Sequence, residues 1–168
     1  MVDIETLGLE PGAAIISIGA IRFDQDVIHE TFERSISLES CQETGLTIDA
    51  NTLEWWLEQD DAAQHVLTGG DPLPGVLSDF SAFYGDADEI WANSPSFDCE
   101  MLERAYAAVN QDEPWDFRDE RCFRTLASLP VDVTVDHDGV EHDALDDAQH
   151  QATVAIKVLE RLEGVDSA

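Results

Sequence analysis

Three strand-like segments in immediate succession set the terms for this fold. VDIET (2–6), AAIISIGAIRFD (13–24) and TFERSISL (31–38) are joined only by turns that contain glycine or acidic residues. The third alternates, with Phe32, Ser35 and Ile36 among polar neighbours. Helical signals follow. Asn51 or Thr52 can cap TLEWWLEQ, and DDAAQHVL continues that helix or forms a second short one. GGDPLPG reads as a loop and VLSDFSAFYG as a short amphipathic helix. EIWAN is a buried strand, PSFDCEMLERAYAAVN a helix with Pro95 near its first turn, and DERCFRTLASL another helix. PVDVTVDHDGVEH is a loop with room for a small hairpin, and the last helix runs from about Asp143 to Leu162. Strands first, then helices around a further strand, make an α/β layer fold with a mixed sheet. No linker divides the chain, so residues 1–168 are expected to form one domain.

Charge bears on the choice of ligand. The chain carries 37 Asp and Glu against 8 Lys and Arg, a formal net charge of -29, and Lys157 is its one lysine. Such a charge repels nucleic acid, which suggests a protein that avoids it. An acidic, lysine-poor surface around a chain that is 43% hydrophobic also fits adaptation to molar salt. At about 1 M salt the Debye length is roughly 3 Å, and net charge then says little about the ligand. Cys41, Cys99 and Cys122 are odd in number and widely spaced, as expected of reduced thiols in a cytoplasmic protein. Neither a signal peptide nor an apolar run long enough to span a bilayer is visible. The expected source is a halophilic archaeon or its virus.

Against this acidic background, three carboxylate sites stand out by direction. In a strand, Asp3 and Glu5 share one face and Val2 and Ile4 the other. Two like charges about 7 Å apart on one face call for a cation between them, although a solvated pair at a strand edge has the same pattern. Asp98 heads the helical stripe Met101, Leu102, Ala105, Tyr106, Val109, which should face the core. A helix cap is the alternative there. In HDALDDAQHQA, the apolar positions Ala144, Leu145, Ala148, Ala152, Ala155, Leu159 and Leu162 define one helix face. Asp146 lies almost opposite and reads as solvated, with helix capping as a further role open to it, whereas Asp147 sits at the edge of the buried face. His142 just precedes the helix and can swing toward the same place; a surface loop histidine is the alternative.

Taken together, Asp3-x-Glu5 on an early strand, Asp98 at a helix start and His142-x4-Asp147 on a final helix resemble the DEDDh branch of the DEDD exonuclease superfamily. The likeness runs through DIETLGLEPGAAIISIGAIRFD, TIDANTLEWWLEQ, WANSPSFDCEMLERAY, RDERCFRTL and HDALDDAQHQA, and is greatest to the exodeoxyribonuclease VIII and phage exonuclease group. The resemblance implies a ribonuclease H-like fold. It implies that Asp3, Glu5, Asp98 and Asp147 bind two divalent cations, Mg²⁺ or Mn²⁺, and that His142 takes a proton from the attacking water. The implied reaction removes nucleotides from the 3' end of single-stranded DNA or RNA and releases 5'-monophosphates.

Other residues are candidates for holding the substrate. Phe97, Trp55 and Trp56 offer stacking surfaces, with core packing expected for at least one of the neighbours. Thr6, Leu7 and Gly8 could hold the terminal sugar and base through backbone groups. Arg121 and Arg124, together with Arg118, would place charge on one helical face toward a phosphate, or would pair with Asp116, Asp119 and Glu120. Asn93 would orient the site. His29, His65, His137 and His150 are expected to be non-catalytic. In this family several apolar residues usually precede the first aspartate; here Met1 and Val2 alone do, which leaves the strand short of ladder bonds. A catalytically silent nucleic-acid-binding or partner-docking module on the same fold is the alternative, and a homodimer is left open.

Overall fold

Alternation in β1 (Val2–Thr6) decides how the rest is arranged. Val2, Ile4 and Thr6 are buried, and Asp3 and Glu5 stand half-buried on the opposite face. The protein is seen in a computed structural model that describes residues 1–59, 61–137, 139–140 and 142–166, without the side chains of Asp61, Ala62, Val165 and Asp166.

β1 pairs antiparallel with β2 (Ile15–Phe23), and β2 antiparallel with β3 (Ile28–Ser35). On its other side β1 pairs parallel with β4 (Ile90–Ala92), and β4 parallel with β5 (Glu120–Cys122). The five-stranded sheet has the order β3-β2-β1-β4-β5, the mixed sheet expected. The shortage of ladder bonds is met at the first residue. The Met1 amino group donates to Ile21 O and the Ile21 N–H to Met1 O, each at 2.8 Å.

The helices are α1 (Leu38–Glu43), α2 (Ala50–Leu57), α3 (Asp61–Gln64), α4 (Leu73–Tyr84), α5 (Asp98–Ala108), α6 (Phe123–Ala127) and α7 (Ala144–Asp166). α1 has no counterpart in the sequence reading; Ser37 caps it by accepting from Ser40 N. α2 starts earlier than expected because Asp49, and neither Asn51 nor Thr52, is its cap, accepting from Thr52 N at 2.9 Å. α4 takes in part of the expected GGDPLPG loop, with proline in its first turn. DERCFRTLASL is not one helix. Glu120, Arg121 and Cys122 pair with Ile90, Trp91 and Ala92, and this tertiary pairing overrides the local helical pattern. The segment 130–142 shows no hairpin among its described residues.

One sheet face packs Val2, Ile4, Ile18, Ala20 and Phe32 into a core with Leu77, Phe80, Met101 and Tyr106 of α4 and α5. The other face is covered by α7, whose Ala148, Ala152, Ala155 and Val158 pack with Met1, Ile21 and Leu126. The approach is close because Gly19 has no side chain. A Cβ there would fall 2.1 Å from Ala144 C and 2.2 Å from Leu145 N. Gly19 stands directly opposite Asp3 in the ladder, so this contact sets how near the start of α7 comes to the β1 carboxylates.

Gly19→Ala should therefore lower stability by about 1–3 kcal/mol through overpacking. Gly164→Ala, with nothing within 4 Å of its Cβ, should be neutral or stabilising by about 0.5–1 kcal/mol. Urea denaturation of both variants checks the contrast.

Candidate active site

Carboxylates from β1 and α7 meet on the sheet face that α7 covers. Ligand oxygens of Asp3, Glu5 and Asp147 lie within 4.8 Å of one another. Strand alternation aims the first two, and the boundary position on α7 brings in the third. Their ladder partners are Gly19 and Ser17, which are small and leave the space open. Asp98, 4% exposed at the start of α5, lies alongside: its charge acts on Asp3, and its Oδ2 accepts from Ser94 N at 3.3 Å.

Crowding and burial shape the chemistry of these groups. Burial, then the charge of Asp98, raises the Asp3 carboxyl well above the usual range. Burial first and Asp3 second push Glu5 up to about 9. Burial pushes Asp98 up to about 6, against hydrogen bonds from backbone amides and the charge of Arg124. These oxygens fit hard divalent cations: they converge, and burial without a counter-charge disfavours the charged form of Asp3 and Glu5 until a cation supplies one.

Gln151, one turn beyond Asp147, was missed by the sequence reading. It is 7% exposed, its Nε2 donates to Asp3 Oδ1 at 2.8 Å, and its Oε1 is buried without a partner among the described residues. A glutamine on the alanine face of the last helix was the available signal. Asp146 also departs from its solvated reading. It is half-buried and accepts from Val140 N at 2.8 Å, which ties the segment before α7 to the helix.

Of the histidines, His142 has a left-handed backbone (φ 64°) and its ring stands edge-on to Trp55, centroids 4.8 Å apart, and to Trp56 at 6.2 Å. A non-glycine residue held there points to a site that determines its conformation. The histidine in direct contact with the cluster is His137, whose Nε2 lies 2.8 Å from Asp147 Oδ1.

A cleft of about 820 Å³ opens beside Glu5, lined by Thr6, Gly8, Leu9, Trp55 and Phe97 among others. Trp55 is 40% exposed, whereas Trp56 is core at 1% and donates to Thr6 O at 3.0 Å. Leu9, 73% exposed on the rim, was not among the sequence candidates. Leu7 does not serve as expected. Its side chain is fully buried, its N–H donates to Ala14 O, and its carbonyl accepts from Asp49 N. The Thr6 hydroxyl donates to Gly8 O at 2.7 Å. Arg121 and Arg124 do not share a helical face, since Arg121 belongs to β5. Arg121 pairs with Glu89 at 2.7 Å and Arg118 with Asp116 at 3.3 Å, so ion pairing prevails for both. Arg124 is exposed, has no ion pair among the described residues, and its charge reaches Asp98. Asn93 is exposed just past β4, outside the cleft lining, and its carbonyl accepts from Arg124 N at 3.3 Å.

The raised carboxyls have a definite sign. Protonated Glu5 contributes stability below its unfolded value of 4.5, and this is lost as pH rises through about 9. At pH 7 the loss is about 3 kcal/mol for Glu5 alone. Divalent cations should offset it. The gain in Tm on adding Mn²⁺ should widen as pH rises from about 5 to about 8, and Glu5→Gln should flatten that dependence. Thermal melts with and without EDTA across that range check it.

No helix of the described residues is long and apolar enough to cross a membrane. Neither the curated proteins nor the solved structures compared with the chain give a match. Residues 1–159 match the family described as the 3'-5' exoribonuclease Rv2179c-like domain, whose members use divalent metals and whose reaction hydrolyses phosphodiester bonds. With its mixed sheet, flanking helices and converging carboxylates, the chain belongs to the Rv2179c-like family and is a 3'-5' exonuclease of ribonuclease H-like fold.

Proposed function

We propose that this enzyme removes nucleotides from the 3' end of single-stranded RNA and releases nucleoside 5'-monophosphates. The observation that carries the reading is the convergence of Asp3, Glu5 and Asp147 within 4.8 Å beside a cleft with an exposed tryptophan. RNA is favoured over DNA by the family's description as an exoribonuclease domain. The finer likeness to the exodeoxyribonuclease VIII group rests on sequence stretches alone and would favour DNA.

Asp3, Glu5, Asp98 and Asp147 would hold two divalent ions, Mg²⁺ or Mn²⁺. When bound, such ions supply Lewis-acid stabilisation of the attacking and leaving oxygens of an in-line displacement. Gln151 fixes the rotamer of Asp3. Trp55, Phe97 and Leu9 line the cleft, and the two aromatic rings would take the terminal base by stacking. Thr6 and Gly8 line the floor for the terminal sugar. Arg124 meets a phosphate on the Asp98 side. His142, held on the Trp55 wall, takes the proton of the attacking water. His137 is the second candidate for that role, because of its contact with Asp147. The acidic, lysine-poor surface suits work in molar salt, where screening removes its repulsion of a polyanion.

The test follows nucleotide release from matched 3'-labelled RNA and DNA in about 2–3 M KCl, a range in which screening is nearly complete. Release should need Mn²⁺ or Mg²⁺, stop with EDTA and run faster on RNA. Asp147→Asn should abolish it, while Asp146→Asn costs less than about tenfold, a loss of one peripheral hydrogen bond. His142→Ala should lower it by about 10²–10⁴. Loss in His137→Ala with His142→Ala unaffected would move the proton-accepting role to His137.

A further inference from the structure

A second convergence of ligand-type side chains lies beside the first, and the charge of Asp143 acts on both Asp3 and Glu5. Glu33 on β3, His65 in the 3₁₀ turn after α3, and Asp143 just before α7 bring ligand atoms within 4.8 Å of one another. They come from three elements far apart in sequence. Donor atoms bound to one ion at about 2.0–2.2 Å are roughly 3–3.5 Å apart, so side-chain adjustment is enough to close this group around a cation.

Each of the three is set by features with their own cause. Glu33 stands opposite Gly19 in the ladder, where the missing Cβ lets the backbone of Ala144 settle on the sheet. The residue before Ala144 is therefore brought over the edge strand beside Glu33. Asp143 Oδ1 already accepts from Leu145 N at 3.1 Å and Asp146 N at 3.0 Å, which fixes the carboxylate and leaves Oδ2 for another partner. His65 opens a turn anchored by Val66, which is 3% exposed in the core. On the same sheet face Ser17 stands between Glu5 of β1 and Ser35 of β3, and its buried hydroxyl has no hydrogen-bond partner among the described residues. Glu33 and His65 are exposed, so an ion has access from solvent.

We propose that Glu33, His65 and Asp143 form a structural divalent-cation site, with a ligand set that shares no residue with Asp3, Glu5, Asp98 and Asp147, that clips the start of α7 to the edge strand β3. Two carboxylates with one imidazole suit Zn²⁺, Mn²⁺ or Co²⁺ better than Mg²⁺, because the nitrogen donor favours transition metals. The like charges of Glu33 and Asp143 gain from a cation between them. Asp143 adjoins His142 and lies one helical turn from Asp147, so the clip would steady the segment that carries both.

Zn²⁺ is the probe, in the Asp3→Asn/Glu5→Gln background that disables the catalytic centre. Calorimetry should show one Zn²⁺ per chain and melting should show a rise in Tm. Adding His65→Ala, or separately Glu33→Gln, should weaken Zn²⁺ binding by at least about tenfold and remove the Zn²⁺-dependent rise. No Zn²⁺ binding in the background, or binding that survives either substitution, overturns the site. Because the background has no turnover to lose, this outcome is independent of the exonuclease reading.

Discussion

Mutual repulsion among Asp3, Glu5, Asp98 and Asp147 is the constraint that the rest of the structure answers to. Nothing in a folded chain gathers four carboxyls at low cost, and burial raises three of them above their ordinary range. The arrangement persists because each carboxyl is fixed by an element that is stable for other reasons. β1 is held by ladder bonds on both sides and by the apolar face of Val2 and Ile4. α5 is held by Met101, Leu102 and Tyr106, and α7 by its alanines and Val158. The apolar packing carries the cost, and a divalent cation removes part of it, so metal affinity and fold stability are linked.

The close fit of α7 over the sheet follows from small residues. Ala144, Ala148, Ala152 and Ala155 let the helix lie low, and Gly19 lets its first turn touch β2. A longer side chain at any of these points would lift Asp147 away from its partners. The segment before α7 is secured at several points. His137 reaches Asp147, Val140 N–H reaches Asp146, and the His142 ring rests on Trp55 and Trp56. This segment couples the Trp55 side of the cleft to the carboxylates.

The readable part of the sequence was the part governed by periodicity. Period two in VDIET separated Asp3 and Glu5 from Val2 and Ile4, and the helical period separated Asp147 from Asp146. The four strands with their own apolar signal were all visible. β5 was not, because three residues at a sheet edge owe their conformation to β4 and carry a helical pattern locally. Arg121 and Arg124 were misplaced together as a consequence. Gln151 and Leu9 were overlooked because neither is a titratable or aromatic residue, yet one is buried against Asp3 and the other stands exposed at the cleft. Leu7 was credited with free backbone groups because its bonds to Ala14 and Asp49 come from remote segments. His137 follows an alternating Val131-x-Val133-x-Val135 run that forms no strand, so the local pattern did not place it on Asp147.

The most direct measurement is anomalous diffraction at the manganese edge from crystals grown with Mn²⁺. The account predicts two Mn²⁺ peaks bounded by Asp3, Glu5, Asp98 and Asp147. Manganese bound elsewhere, with those four carboxyls unliganded, would contradict it.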